Sequence, residues 1–277
     1  MTVAGTTVRI SVERMGGTDP MQFAEELTTK GVTERRFTLD RPQEPVPGVL
    51  WTPEGADTPR PLVALGHGGT QHKAVPNIVA LARRLVRHHG YAAVAIDLPF
   101  HGDRVPESER GLSREERREL LRRRNFGREQ AAAVTELAVA DWVATLDAVQ
   151  ALDCVGAGAV GYWGVSMGTH FGVPLLAAEP RIGVAVLGLF GWSERAGRGF
   201  DDLARSVTVP LLFLVQWDDE VVPRDLAFGL FDLFGSTDKT LHANPGGHVE
   251  IPRAERDAAE AHFALHLGAA RPAETAA

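Results

Sequence analysis

The chain has 277 residues, 44% of them hydrophobic and 23% charged, a composition that suits a globular fold with a sizeable core and excludes a disordered or fibrous chain. A formal net charge of −7 argues against a nucleic-acid partner, which calls for a basic face. The single cysteine, Cys154, allows no internal disulfide and fits the reducing cytoplasm; no run approaches the roughly 20 apolar residues of a membrane helix, and the opening MTVAGTTVRISVERMGG lacks the pattern of a secretory signal.

In chain order, RRFTLDR and VPGVLWTPEG predict an antiparallel pair at a sheet edge. PLVALGHGG (61–69) predicts the first buried strand, and VPNIVALARRLVRHHG (75–90) a helix that stops at Gly90. YAAVAIDLP (91–99) is a second strand pattern, and REQAAAVTELAVADWVATLDAVQALD (128–153) a long helix. GAVGYWGVS (158–166) and MGTHFGVPLLAAE (167–179) form a strand followed by a helix, and IGVAVLGLFG (182–191) and VPLLFLVQWDD (209–219) are two more strands. PRDLAFGLFDLFG (223–235) is helical, KTLHANPGGH (239–248) a strand, and PRAERDAAEAHFALHL (252–267) the closing helix. Near-continuous apolar strands alternating with helices predict a mostly parallel sheet covered on both faces, in one α/β domain over 1–277. The charged segment 107–130 interrupts the alternation. It is read either as a solvated helix or, over 104–127, as a small cap insertion, in which case Arg122, Arg123 and Arg124 could face an anionic substrate.

Five residues, Gly164-Val165-Ser166-Met167-Gly168, sit between a predicted strand and a predicted helix. Small flanking residues there permit a sharp turn that exposes a nucleophilic serine, the G-x-S-x-G elbow. A serine hydroxyl needs a base, a group to orient that base, and donors for the oxyanion. The strand 209–219 ends in three acids, and Asp219 is chosen over Asp218 because Val222 and Pro223 in D-x-x-V-P would pack its loop down. Asp218 better suits a cap of the following helix. His248, on a glycine-rich loop after the next strand, is the candidate base. The oxyanion donors are assigned to the backbone N–H groups of Met167 and Gly69, with Gly68 as rival. His67 is expected to brace that loop, and His170 to pack behind the elbow. Trp163, Phe100, Phe190, Trp192 and Trp217 lie near strand ends and are candidates to line an apolar substrate pocket. No C-x-x-C, H-E-x-x-H or phosphate loop occurs, so neither metal nor cofactor is expected.

On GHGG (66–69), DLPFHG (97–102), GVSMG (164–168), DDEVVP (218–223) and GGH (246–248), the chain resembles the α/β-hydrolases from about residue 35 onward. DLPFHGDR and the early hairpin resemble the dienelactone-hydrolase-like and acyl-esterase branch. Two departures stand out: Ser166 where true dienelactone hydrolases have cysteine, and Gln216-Trp217 where many relatives have glycine before the acid turn. The resemblance implies a serine esterase acting on a small carboxylic ester or lactone. Amide cleavage or acyl transfer on the same triad, and a non-catalytic binding protein on the same scaffold, are the alternatives. The edge hairpin and the last helix are candidate homodimer surfaces.

Overall fold

The structure is a computed structural model that describes residues 21–123, 128–192 and 199–268, with side chains described outside 121–128. Nine strands among these residues form one sheet: β1 (Met21–Thr29), β2 (Val32–Leu39), β3 (Val46–Pro53), β4 (Leu62–Gly66), β5 (Ala92–Ile96), β6 (Val160–Val165), β7 (Ile182–Gly188), β8 (Leu211–Gln216) and β9 (Lys239–Asn244). Their order across the sheet is β1-β2-β3-β5-β4-β6-β7-β8-β9. The first three strands and the β3–β5 step are antiparallel, and the rest is parallel.

The edge is therefore three strands where the sequence predicts two. β1 is exposed along almost its whole length, so it has none of the apolar alternation that marks a half-buried strand. It forms because its backbone completes the β2 ladder.

Seven helices cover the sheet among the described residues: α1 (Pro76–His89), α2 (Arg114–Arg123), α3 (Arg128–Gln150), α4 (Met167–Ala178), α5 (Phe200–Ser206), α6 (Arg224–Leu233) and α7 (Ala254–Leu267). The central strands are buried on both faces, and their side chains alternate between two cores. Tyr162, Leu187 and Phe213 pack with Trp142 of α3 and with residues of α4 to α6. Trp163, Val186 and Leu214 pack on the opposite face with Leu81 of α1 and Phe263 of α7. Helix α1 starts on Pro76 and ends on Gly90 in the left-handed region (φ 67°), as the sequence predicts. Among the described residues no helix is long and apolar enough to cross a membrane.

The motif DLPFHGDR ties two loops together at the C-terminal edge of the sheet. Buried Asp97 accepts from the Lys73 backbone N–H (2.9 Å), from Lys73 Nζ (2.6 Å) and from the Asp103 N–H (2.8 Å). Gly102 is at φ 56°, and a Cβ there would lie 2.2 Å from the Asp97 carboxylate. The charged insertion then begins on a buried anchor, where Arg104 pairs with Asp141 at 2.7 Å and donates to the Asp97 carbonyl at 3.1 Å.

Candidate active site

Ser166 stands between β6 and α4 with φ 57° and ψ −118°. A non-glycine residue in that region costs about 1–3 kcal/mol, so its surroundings must impose it. They do so from three sides. The Ser166 N–H donates to the Gly188 carbonyl at 2.8 Å. The buried Thr169 hydroxyl accepts the Gly188 N–H at 2.8 Å and lies 2.8 Å from the Gly164 carbonyl. The Tyr162 hydroxyl donates to the Gly168 carbonyl at 2.7 Å, and burial pushes that phenol's pKa up. The flanking glycines are steric requirements. A Cβ on Gly164 would stand 2.7 Å from the Gly168 carbonyl oxygen, and one on Gly168 would stand 2.9 Å from that of Gly66.

The three triad residues named from the sequence come together. Ser166 Oγ lies 2.9 Å from His248 Nε2, and His248 Nδ1 lies 2.8 Å from Asp219 Oδ2. The other oxygen, Asp219 Oδ1, accepts the N–H groups of Val221 and Val222 at 2.8 and 2.9 Å, which fixes the carboxylate toward the imidazole. The Asp219 side chain is only 3% exposed. Its rival Asp218 is exposed and accepts the Gly246 N–H at 3.3 Å. Asp218 does not cap α6 either, since Pro223 precedes that helix without a side-chain cap.

Met167 opens α4, where the first N–H groups of a helix have no partner within it. In the loop after β4, the Gly68 N–H is taken by Gln71 Oε1 at 3.2 Å, a contact that the Gly69 N–H does not share. Its direction is set from behind. The Leu98 N–H donates to His67 Nε2 at 3.1 Å, so Nδ1 carries the proton and donates to the Gly68 carbonyl at 2.9 Å. That carbonyl and the Gly69 N–H belong to one trans peptide unit, so fixing the first points the second the opposite way.

His67 and His170 are both held neutral. Burial drives His67 down to about 3, helped by the nearby His101, and burial alone drives His170 down to about 4. His170 lies in α4 among Phe171, Phe190 and Phe200, and its Nδ1 has no partner among the described residues. Both histidines titrate near 6.5 when unfolded. As pH falls below 6.5, the unfolded chain takes up protons at these two sites that the fold refuses, and each site lowers stability by roughly 1 kcal/mol per pH unit. The urea midpoint is thus expected to be highest at neutral pH and to fall between pH 6.5 and 4. H170F, which removes one of the buried histidines, should show a shallower fall. An equal slope in the variant would contradict this reading.

A cavity of about 190 Å³ opens at Ser166 and His248. Its walls are apolar toward the α1 and α7 face, with Leu81, Trp163, Leu189, Leu214 and Ile251, and its mouth carries Gln71, Arg114 and Arg256. Of the five aromatic residues predicted to line the pocket, Trp163 does so. The other four are not among the residues that line it. Phe190 packs on the opposite face with His170 and Phe200. The Trp192 backbone N–H donates to the Leu226 carbonyl of α6, Trp217 stacks under Arg224 of α6 at 4.2 Å, and Phe100 sits in the turn after β5 at φ 65°. Arg114 of α2 donates to Thr70 Oγ1 at 3.1 Å, so the charged segment reaches the mouth of the cavity. The side chains of Arg122, Arg123 and Arg124 lie outside those described.

No protein-family model matches the chain, and no curated protein matches it. Solved structures do. The PEG-bound structure of a cold-adapted esterase from an Arctic intertidal metagenomic library is 38% identical, with a TM-score of 0.73 over 88% of this chain and 97% of that one. An acetyl xylan esterase from Paenibacillus sp. R4 is 17% identical (TM-score 0.69, 90% of this chain and 88% of that one). A dienelactone hydrolase from Anabaena variabilis ATCC 29413 is 21% identical (TM-score 0.61, 86% and 99%). The last two speak for the fold alone. The first of these shows the family: the chain belongs with that esterase among the carboxylic ester hydrolases, on the α/β-hydrolase fold.

Proposed function

We propose that the protein hydrolyses a small carboxylic ester or lactone through an acyl-enzyme on Ser166. The observation that carries this reading is the unbroken hydrogen-bond line Ser166–His248–Asp219 at 2.9 and 2.8 Å, opening on a cavity. His248 Nε2 takes the Ser166 proton as Oγ attacks the ester carbonyl, and the Gly69 and Met167 N–H groups hold the oxyanion, each worth about 3–4 kcal/mol. His248 then protonates the leaving alkoxide. A water deprotonated by the same imidazole hydrolyses the acyl-enzyme and restores Ser166. Asp219 keeps the Nδ1–H tautomer in place and balances the charge that forms on the ring.

The cavity, at about 190 Å³, is smaller than the roughly 300–1,000 Å³ of pockets for drug-sized ligands, and its inner wall is apolar. A short acyl chain suits it. With p-nitrophenyl esters from acetate to octanoate, kcat/KM is expected to peak at or below butyrate and to fall by at least tenfold at octanoate. Octanoate turned over as well as butyrate would contradict the assignment of this cavity to the acyl group.

The same reading takes 1–277 as one domain with 104–127 as a small cap, supported by the reach of Arg114 to the cavity mouth. It places the protein in the cytoplasm on the strength of its single cysteine, and leaves nucleic acid out on its net charge of −7.

A further inference from the structure

The loop that carries His248 is held by carboxylates. Three consecutive backbone N–H groups donate to three acids: Gly246 to Asp218 Oδ2 at 3.3 Å, Gly247 to Glu250 Oε2 at 2.7 Å and His248 to Glu220 Oε2 at 2.9 Å. Asp218, Asp219 and Glu220 are consecutive, and each reaches a different residue or atom of 246–248. Two backbone bonds, Trp217 N–H to the Asn244 carbonyl (2.6 Å) and Asp218 N–H to the Gly246 carbonyl (3.1 Å), hold the loops side by side. Gln216 adds a bond from Nε2 to the Glu250 carbonyl at 2.9 Å.

Of these three backbone contacts, that of Glu220 is nearest the imidazole, because it holds the backbone of the residue that carries the ring. Packing does not account for its placement, since Glu220 is exposed. The glycines of Gly246-Gly247-His248 are where the carboxylates come in. A Cβ on Gly247 would lie 2.9 Å from Glu220 Oε2, and one on Gly246 would lie 2.8 Å from Glu250 Oε2. The His248 N–H in turn holds the Glu220 carboxyl below its usual range, so it is ionised at neutral pH.

We propose that Glu220 is a positioning residue for ester cleavage: by accepting the His248 backbone N–H, it holds the imidazole in line between Asp219 and Ser166. This rests on the reading of His248 as the base. The contact acts on how the ring is aimed, so its loss belongs in kcat and not in KM or in the melting temperature.

The test is p-nitrophenyl butyrate hydrolysis by wild type, E220A, E220Q and H248A, with melting temperatures alongside. E220A is expected to lower kcat roughly 10- to 30-fold, short of the 10²-fold that an ångström of misplacement can cost. KM should stay within about twofold and the melting temperature should not move. E220Q keeps an acceptor oxygen and is expected to regain most of the loss. The downfield proton resonance of the His248–Asp219 hydrogen bond should broaden in E220A and persist in E220Q. An inactive H248A beside a fully active E220A overturns this proposal alone. An active H248A overturns both this proposal and the base on which it rests.

Discussion

Ser166→Ala is expected to lower kcat for p-nitrophenyl butyrate by about a millionfold, the scale of nucleophile loss in a serine hydrolase. The variant should still fold. Ser166 spends its backbone strain at a position whose neighbours are fixed by Gly188, Thr169 and Tyr162, none of which depends on the hydroxyl. The side chain's only hydrogen bond among the described residues is to His248 Nε2. Removing it leaves the imidazole oriented by Asp219 and the loop held by Glu220 and Glu250. A small residual rate over water would come from the oxyanion donors and from binding alone. The check is steady-state hydrolysis with the melting temperature measured on the same preparation. An alanine variant within tenfold of wild type would show that another group attacks the ester.

The second large effect separates two neighbouring acids. Asp219→Asn is expected to cost about 10⁴-fold in kcat, because an amide can offer its N–H to His248 Nδ1 and stabilise the wrong tautomer. The same change also weakens the acceptor for the Val221 and Val222 N–H groups. Asp218→Asn should cost less than about fivefold. Its carboxylate is exposed, its one loop contact is long at 3.3 Å, and Trp217 N–H and Asp218 N–H still hold the two loops together. Parallel kcat measurements on D218N and D219N decide the matter. Equal losses would mean that the acids share the role or exchange it.

The order of strands and helices from β2 onward was legible because buried parallel strands must be apolar throughout, while α1 carries its own start and stop signals in Pro76 and Gly90. β1 was not legible, since it buries almost nothing and forms by pairing. α5, only seven residues long, has too few turns for its periodicity to register. In the site, Ser166, Asp219 and His248 could be read because each follows a strand at the same edge of the sheet, in a local context that suits its chemistry. The supporting contacts could not. Thr169 to Gly188, Tyr162 to Gly168, and Glu220 to His248 depend on which segments meet in space, and a lone Thr, Tyr or Glu gives no pattern. The pocket was half legible for a related reason. A residue near a strand end can leave toward either face: Trp163 leaves toward the face where the cavity opens, and Phe190 packs on the other.

The central claim is an acyl group carried on Ser166. The measurement that meets it most directly is mass spectrometry of the protein acid-quenched during turnover of p-nitrophenyl butyrate. The account predicts a single butyryl adduct on the peptide containing Ser166, absent from S166A. An adduct on any other residue, or undiminished hydrolysis by S166A, would contradict it.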